Sequence, residues 1–158
     1  MERIECCSFI ITMKIFETDR LTIRTLDEGD IDRLVEYRSK KTVSKYQSWN
    51  RYTRRDAVKL IKKCKETVID HKKGSMQFGI TIKGSQHLIG DLHIEIMAPH
   101  TFSIGYTLDD VFWNNGFGTE AVLGLLNYMY EEPPSASVNR SSGSCQVFWY
   151  LFRCIGFI

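Results

Sequence analysis

Apolar and polar positions show no regular period over residues 1–12, and pattern begins at Met13. Leu21 to Leu26 alternates, with Leu21 and Ile23 on one face, which predicts a strand. Asp27 and Asp30 are candidate N-caps for a helix through Arg38, whose Ile31, Leu34 and Val35 share a stripe. A basic connector carrying Tyr46, Trp49 and Tyr52 follows. Thr53, with Asp56 three residues on, reads as a capping box for a second helix. Ala57, Leu60, Ile61, Cys64 and Val68 repeat at helical spacing there, and Gly74 ends the region. The lysines and arginines on its other face read as a solvated surface, with a patch for an acidic partner as the alternative.

Three alternating runs come next. Phe78, Ile80 and Ile82 form the first, Leu88 to Ile96 the second, and Phe102, Ile104, Tyr106 and Leu108 the third. The turn Lys83–Gln86 and the break at Ala98-Pro99-His100 separate them, as in an antiparallel meander. A loop from Asn114 to Gly118 then opens a helix from Thr119 to Glu132, with Ala121, Val122, Leu125, Leu126 and Met129 as its apolar stripe. The fold class expected is α+β: a mixed, mostly antiparallel sheet flanked by helices.

Composition narrows the function classes. A length of 158 residues fits one domain. With 43% hydrophobic and 25% charged residues, the chain groups with ordinary globular proteins rather than disordered ones. Lys and Arg number 21 against 19 Asp and Glu, a balance that points away from nucleic acid as a partner. The apolar run Phe9 to Ile11 is too short to span a bilayer or to form a signal core, so no membrane and a cytoplasmic location are expected. Cys6, Cys7, Cys64, Cys145 and Cys154 form no C-x-x-C pair and have no accompanying His pair. Free thiols and no metal are expected, with lipidation of Cys6-Cys7 as the alternative.

The segment with chemistry in it is Asn114-Asn115-Gly116-Phe117-Gly118-Thr119, between a strand and a helix. Glycines there allow a tight turn and close approach of a ligand. The N–H groups at a helix N-terminus, helped by the helix dipole, suit phosphate oxygens. The segment is neither a lysine-bearing phosphate loop nor a full G-x-G-x-x-G, since Ala121 stands at the third glycine position. Alone, it also reads as a plain loop.

The wider context is more specific. Ile104-Gly105-Tyr106-Thr107-Leu108, followed by Phe112-Trp113-Asn114-Asn115-Gly116-Phe117-Gly118-Thr119-Glu120-Ala121, resembles the core motif of the GNAT superfamily of N-acetyltransferases. The likeness is greatest to the RimJ/RimL-like, ribosomal-protein-alanine acetyltransferase branch. Glu17-Thr18-Asp19-Arg20-Leu21-Thr22-Ile23-Arg24 resembles that branch's opening E-T-x-R-L-x-I-R, and Leu88-Ile89-Gly90 its third-strand L-I-G. The resemblance runs from Met13 to Glu132 in the right order.

It implies transfer of acetyl from acetyl-CoA, as co-substrate, to an amine acceptor, either a protein N-terminus or a small molecule. The amides of Asn114, Asn115, Gly116, Phe117, Gly118 and Thr119 would hold the pyrophosphate. The backbone of Tyr106, Thr107 and Leu108 would pair with the pantetheine arm, in a strand whose bulge splays it from its neighbour. A homodimer is the candidate assembly. Asn114 stands where the family has Gly, and Asn tolerates left-handed geometry better than most residues. Asn115 stands where a Lys is frequent, which removes a charge near the phosphates.

The resemblance divides the chain into an N-terminal extension (1–12), an N-acetyltransferase core (13–132) and an atypical C-terminal tail (133–158) that completes or replaces the last strands. The tail has no Asp, Glu or Lys, and Arg140 and Arg153 are its only charges. Asn139 and Ser142 echo the family's CoA-contacting Asn and a following Ser, and Ile155-Gly156-Phe157 echoes its L-G-F, at altered spacing. A truncated or frame-shifted end is the expectation drawn from this.

Amine acetylation needs a deprotonated amine and a protonated leaving thiolate. Asp91, His93 and Glu95 share one strand face. Glu95 is the first candidate base, acting directly or through water, and His93 the second. Tyr150 is the candidate thiol proton donor. Glu120, at a helix N-terminus, reads as structural. Tyr46 and Trp49 read either as acceptor contacts or as packing, and Trp113 as a packing anchor. Two rivals stay open: a non-catalytic acyl-CoA-binding remnant, and a protein-interaction domain that binds no CoA.

Overall fold

The computed structural model describes residues 12–66, 74–98 and 101–131. Val68, Asn139, Tyr150 and the whole 133–158 tail lie outside the described residues. The elements are β1 (Lys14–Glu17), β2 (Leu21–Thr25), α1 (Ile31–Arg38), α2 (Lys41–Ser44), α3 (Arg54–Glu66), β3 (Gly74–Ile82), β4 (Leu88–Ala98), β5 (Thr101–Leu108) and α4 (Phe117–Glu131). One sheet holds the strands in the order β1-β2-β3-β4-β5, each antiparallel to its neighbour.

Two apolar clusters fix the layers. Leu21, Ile23, Ile80, Leu92 and Ile94 meet Ala121, Val122 and Leu125 of α4 on one face. Leu26, Leu34, Tyr37, Ala57, Ile61 and Leu88 form the second cluster, with α1 and α3 on the opposite face. Ile80 pairs with Gly90 but Thr81 with Leu88, so Ile89 is an extra residue. This bulge shifts the phase of the alternation, so that buried Ile89 joins Leu92 in the α4-side cluster while buried Leu88 joins the α1–α3 side.

The α+β expectation and the meander hold, and the differences are local. The segment after Met13 forms β1, four residues whose exposed ends give little alternation to read. Asp27 caps the 3-10 turn Glu28–Asp30, with a reciprocal bond from its own N–H to Asp30. Asp30 makes no side-chain cap to α1, because its carboxylate is taken by Arg24 through two 2.8 Å bonds in a buried pair. Thr53 and Asp56 do form the expected box. Gly74 opens β3, and α4 begins at Phe117, two residues before the expected Thr119. The cationic face of α3 is exposed at Lys59, Lys62 and Lys65, in line with a solvated surface. No helix among the described residues is long and apolar enough to cross a membrane.

The N-terminus of α4 is anchored across the sheet edge. Glu120 accepts from Thr18 Oγ1 at 2.5 Å, from the Arg20 backbone N–H at 2.9 Å and from Arg20 Nε at 2.7 Å. Partial burial pulls its carboxyl upward, but the Thr18 and Arg20 bonds and the Arg20 charge outweigh that and hold it below its ordinary value of 4.5. The structural reading of Glu120 therefore stands.

Asp30→Asn leaves the buried Arg24 cation without a counter-charge and is expected to cost about 3 kcal/mol in urea unfolding. Asp32→Asn, which breaks the exposed Asp32–Arg54 pair, should leave the midpoint unchanged. Because the folded-state pKa of Glu120 is depressed, its contribution is present above pH 4.5 and is lost as pH falls below it. Thermal melts from pH 6 to pH 3 should show a shallower acid loss in Glu120→Gln than in the wild type.

Candidate active site

β5 is one of the two edge strands of the sheet among the described residues. Its ladder with β4 runs without a shift from Phe102 to Leu108, and the irregularity lies at Ile96/Ala98 instead. The bulge that the resemblance implied for this strand is therefore not seen in its pairing with β4. Asp109 N–H bonds the Ile89 carbonyl at 2.9 Å. Alternation along an antiparallel pair then turns the backbone groups of Leu108, Tyr106 and Ile104 away from β4. The Leu108 carbonyl accepts the Trp113 indole N–H at 3.0 Å, so Trp113 serves as an anchor for the loop that follows.

A cavity of about 470 Å³ wraps this edge. On the α4 face it is lined by Ile104, Tyr106 and Val122. On the α1–α3 face it is lined by Thr107, Gly105, His93, Asp91, Gln77 and Arg38, and by the connector residues Tyr46 to Trp49. Tyr46 and Trp49 thus reach the cavity while also packing. Trp49 lies 5.5 Å from Tyr52 and donates to the Arg38 carbonyl, and Tyr46 tilts against Trp113.

The cavity wall rests on a buried ion pair. Asp91 has no exposed surface and accepts from Arg38 Nε at 3.0 Å, and also from Arg38 Nη2, Tyr37 Oη and Gln77 Nε2. The Arg38 guanidinium lies over the Trp49 ring at 4.7 Å and the Tyr52 ring at 4.9 Å. Burial disfavours its charge, yet the Asp91 carboxylate outweighs that and holds the group above its ordinary value. Burial, and then the Asp91 charge, push the Tyr37 phenol well above its usual range.

The loop after β5 has the geometry its residues allow. Asn114 adopts φ +62 and Gly116 φ +77, so Asn114 takes the left-handed turn expected of it. Asn115 Nδ2 bridges the carbonyls of Phe112 and Trp113. The Gly116 carbonyl accepts from Glu120 N–H at 3.0 Å, which makes Gly116 the residue before the first turn. The N–H groups of the first turn, Phe117 to Thr119, therefore have no partner along the helix. A Cβ on Gly118 would stand 2.5 Å from the Tyr106 ring, so only glycine lets α4 sit this close to β5.

The segment between β5 and the loop is held from the far face. Asp109 accepts from Arg33 Nη2 and Lys40 Nζ, each at 2.5 Å, and Asp110 from Lys40 Nζ at 2.8 Å and Thr42 Oγ1 at 2.6 Å. The Lys40 and Thr42 bonds hold the Asp110 carboxyl far below its ordinary value. Sequence reading missed these residues and the Arg38–Asp91 pair. One signal was available: Arg38 lies four residues after Leu34 on the apolar stripe of α1, and Asp91 lies between buried strand positions.

Of the sequence candidates, the cavity brings together Tyr106, Thr107 and His93, with Gly118 packed against Tyr106. Glu95 lies on the exposed part of β4, outside the cavity lining. Thr119 and Gly116 line a separate, shallower depression beside Glu17 and Asp19.

Comparison with known proteins bears on this arrangement. The model of the acetyltransferase (GNAT) domain matches residues 20–148. The uncharacterized N-acetyltransferase YnaD of Bacillus subtilis (strain 168) is 27% identical over 130 residues, which is 82% of this chain and 71% of that protein. The crystal structure of an acetyltransferase (GNAT family) from Bacillus anthracis superposes with TM-score 0.64 at 24% identity, over 74% of this chain and 66% of that one. RimL, a ribosomal L7/L12 alpha-N-protein acetyltransferase solved in complex with coenzyme A, superposes with TM-score 0.61 at 17% identity, over 74% and 67%. Both structures share the fold. With the family model covering most of its length, the chain belongs to the acetyltransferase (GNAT) domain family.

Proposed function

We propose that this protein transfers the acetyl group of acetyl-CoA to a primary amine. The observation that carries the reading is the cavity around the edge of β5, joined to the α4 N-terminus through Tyr106, which lines the one and packs against Gly118 of the other. The residues present fit the co-substrate. A pyrophosphate suits first-turn amides at a helix N-terminus behind a loop with two positive-φ residues. An extended amide arm suits an edge strand, to which it adds as a further strand. A fold relative solved with coenzyme A supports the same class of ligand.

The thioester supplies the activated acyl group. The chain's own residues bind and orient. First-turn amides and the Tyr106–Leu108 backbone hold the donor, and Tyr46, Trp49 and Gln77 border the space left on the α1–α3 face for the acceptor. The acceptor class includes a protein N-terminus, in keeping with the likeness to ribosomal-protein acetyltransferases, and a small amine. Residues 13–132 form the core of this reading, with the tail completing or replacing the last strands.

Calorimetry with acetyl-CoA should give saturable one-to-one binding. Gly116→Trp, which blocks the loop, should abolish it. Gly118→Val, which displaces Tyr106, should weaken it at least about tenfold, or about 1.4 kcal/mol. Thiol release should then appear with at least one member of an amine panel. Binding indifferent to both substitutions, or tight binding with no turnover on any amine, would refute the reading.

A further inference from the structure

We propose that His93 is the group that takes the proton from the attacking amine, a role that rests on the acetyltransferase reading above. Three geometric observations place it there. His93 lines the cavity on the α1–α3 face, beside the edge strand. Its cross-strand neighbours are Gln77 of β3 and Gly105 of β5. The space that a side chain at Gly105 would occupy is open, with no atom within 4 Å of the Cβ position, so the flank of His93 toward β5 is cavity.

The other titratable groups of the lining are committed or unsuited. Asp91 is locked by Arg38, Tyr37 and Gln77. Arg38 is its permanently charged partner. Tyr46 and Tyr106 carry phenol hydroxyls, which are poor proton acceptors. Glu95 is exposed and outside the lining.

The charges around His93 come from several elements. Asp91 and Glu95 of β4 favour its protonation, while Arg38 of α1 and Lys63 of α3 oppose it, and Cys64 of α3 bonds the Gln77 carbonyl nearby. Burial is the largest influence and holds the imidazole below its ordinary value of 6.5. At neutral pH the ring is therefore unprotonated and ready to accept.

The amine lone pair forms the N–C bond to the thioester carbonyl carbon, and the nitrogen becomes positively charged and acidic. His93 takes that N–H proton. The C–S bond breaks, the electron pair leaves with sulfur, and the CoA thiolate takes a proton from water. The imidazolium returns its proton to solvent, so amine and acetyl-CoA yield amide and CoA thiol.

The test is thiol release by the full chain between pH 5 and pH 9. The acceptors are peptides with free N-terminal Ala, Ser or Met, together with spermidine. Wild-type kcat/KM should fall on the acid side with a midpoint below 6.5, matching the His93 titration read by NMR of histidine-labelled protein. His93→Gln should lower kcat about 100-fold or more and remove that acid limb, with acetyl-CoA Kd within about twofold of the wild type. Free imidazole should restore part of the rate to His93→Ala, which a purely structural role would not allow. Glu95→Gln should keep the rate near neutrality and retain the limb, moved to lower pH because the Glu95 charge no longer favours the imidazolium.

An unaltered profile in His93→Gln, loss of the limb in Glu95→Gln, or a wild-type limb that departs from the His93 titration overturns the assignment alone. Absence of turnover in the wild type overturns the acetyltransferase reading and this assignment with it.

Discussion

The carboxylate of Asp91 has no water to solvate it, and the rest of the site depends on how it is satisfied. An unpaired buried charge costs several kcal/mol, so Arg38 must follow it into the interior. Satisfying Asp91 fixes the last turn of α1 against β4, with Tyr37 and Gln77 as further donors. The Arg38 guanidinium in turn lies over the Trp49 and Tyr52 rings. One ion pair thus sets the position of the connector that walls the cavity. It also occupies the Asp91 carboxylate with donors and leaves the His93 imidazole, two residues along on the same face, open to the cavity.

A second set of constraints converges on the segment after β5. Arg33, Lys40 and Thr42 hold it from the α1–α2 side through Asp109 and Asp110. Thr18 and Arg20 hold the start of α4 through Glu120. Between these anchors the loop has little freedom, and Asn114 and Gly116 take the left-handed geometry the turn needs. The Arg20 guanidinium lies 4.6 Å over the Phe117 ring, which brings a positive charge to the loop that Asn115 lacks. Anchors on both faces of the sheet therefore aim one helix N-terminus along one strand edge.

The fold was largely legible because its core positions follow simple periods. Alternation at Ile80, Leu92 and Ile104 and the stripe of α4 are what a half-buried sheet under a helix requires. β1 was not legible, since four residues with exposed ends carry too little pattern. The glycine loop and edge strand were legible as motifs, but the close approach at Gly118 is to the Tyr106 ring, a packing role that the motif alone did not give. The Arg38–Asp91 pair was not, because each residue reads locally as a surface charge and only tertiary pairing makes burial tolerable. The different settings of Glu95 and His93 were hidden for a related reason. Strand alternation assigns both to one face but does not say where along the strand that face stops being cavity and becomes solvent.

The most direct measurement of the central claim, that acetyl-CoA lies along β5 with its pyrophosphate on the α4 N-terminus, is residue-resolved amide hydrogen exchange with and without acetyl-CoA. The account predicts slowed exchange at Ile104, Tyr106 and Leu108 and at Gly116 to Thr119, with β1 and β2 unchanged. Unchanged exchange at the β5 and α4 amides under saturating acetyl-CoA, or protection confined to another surface, would contradict it.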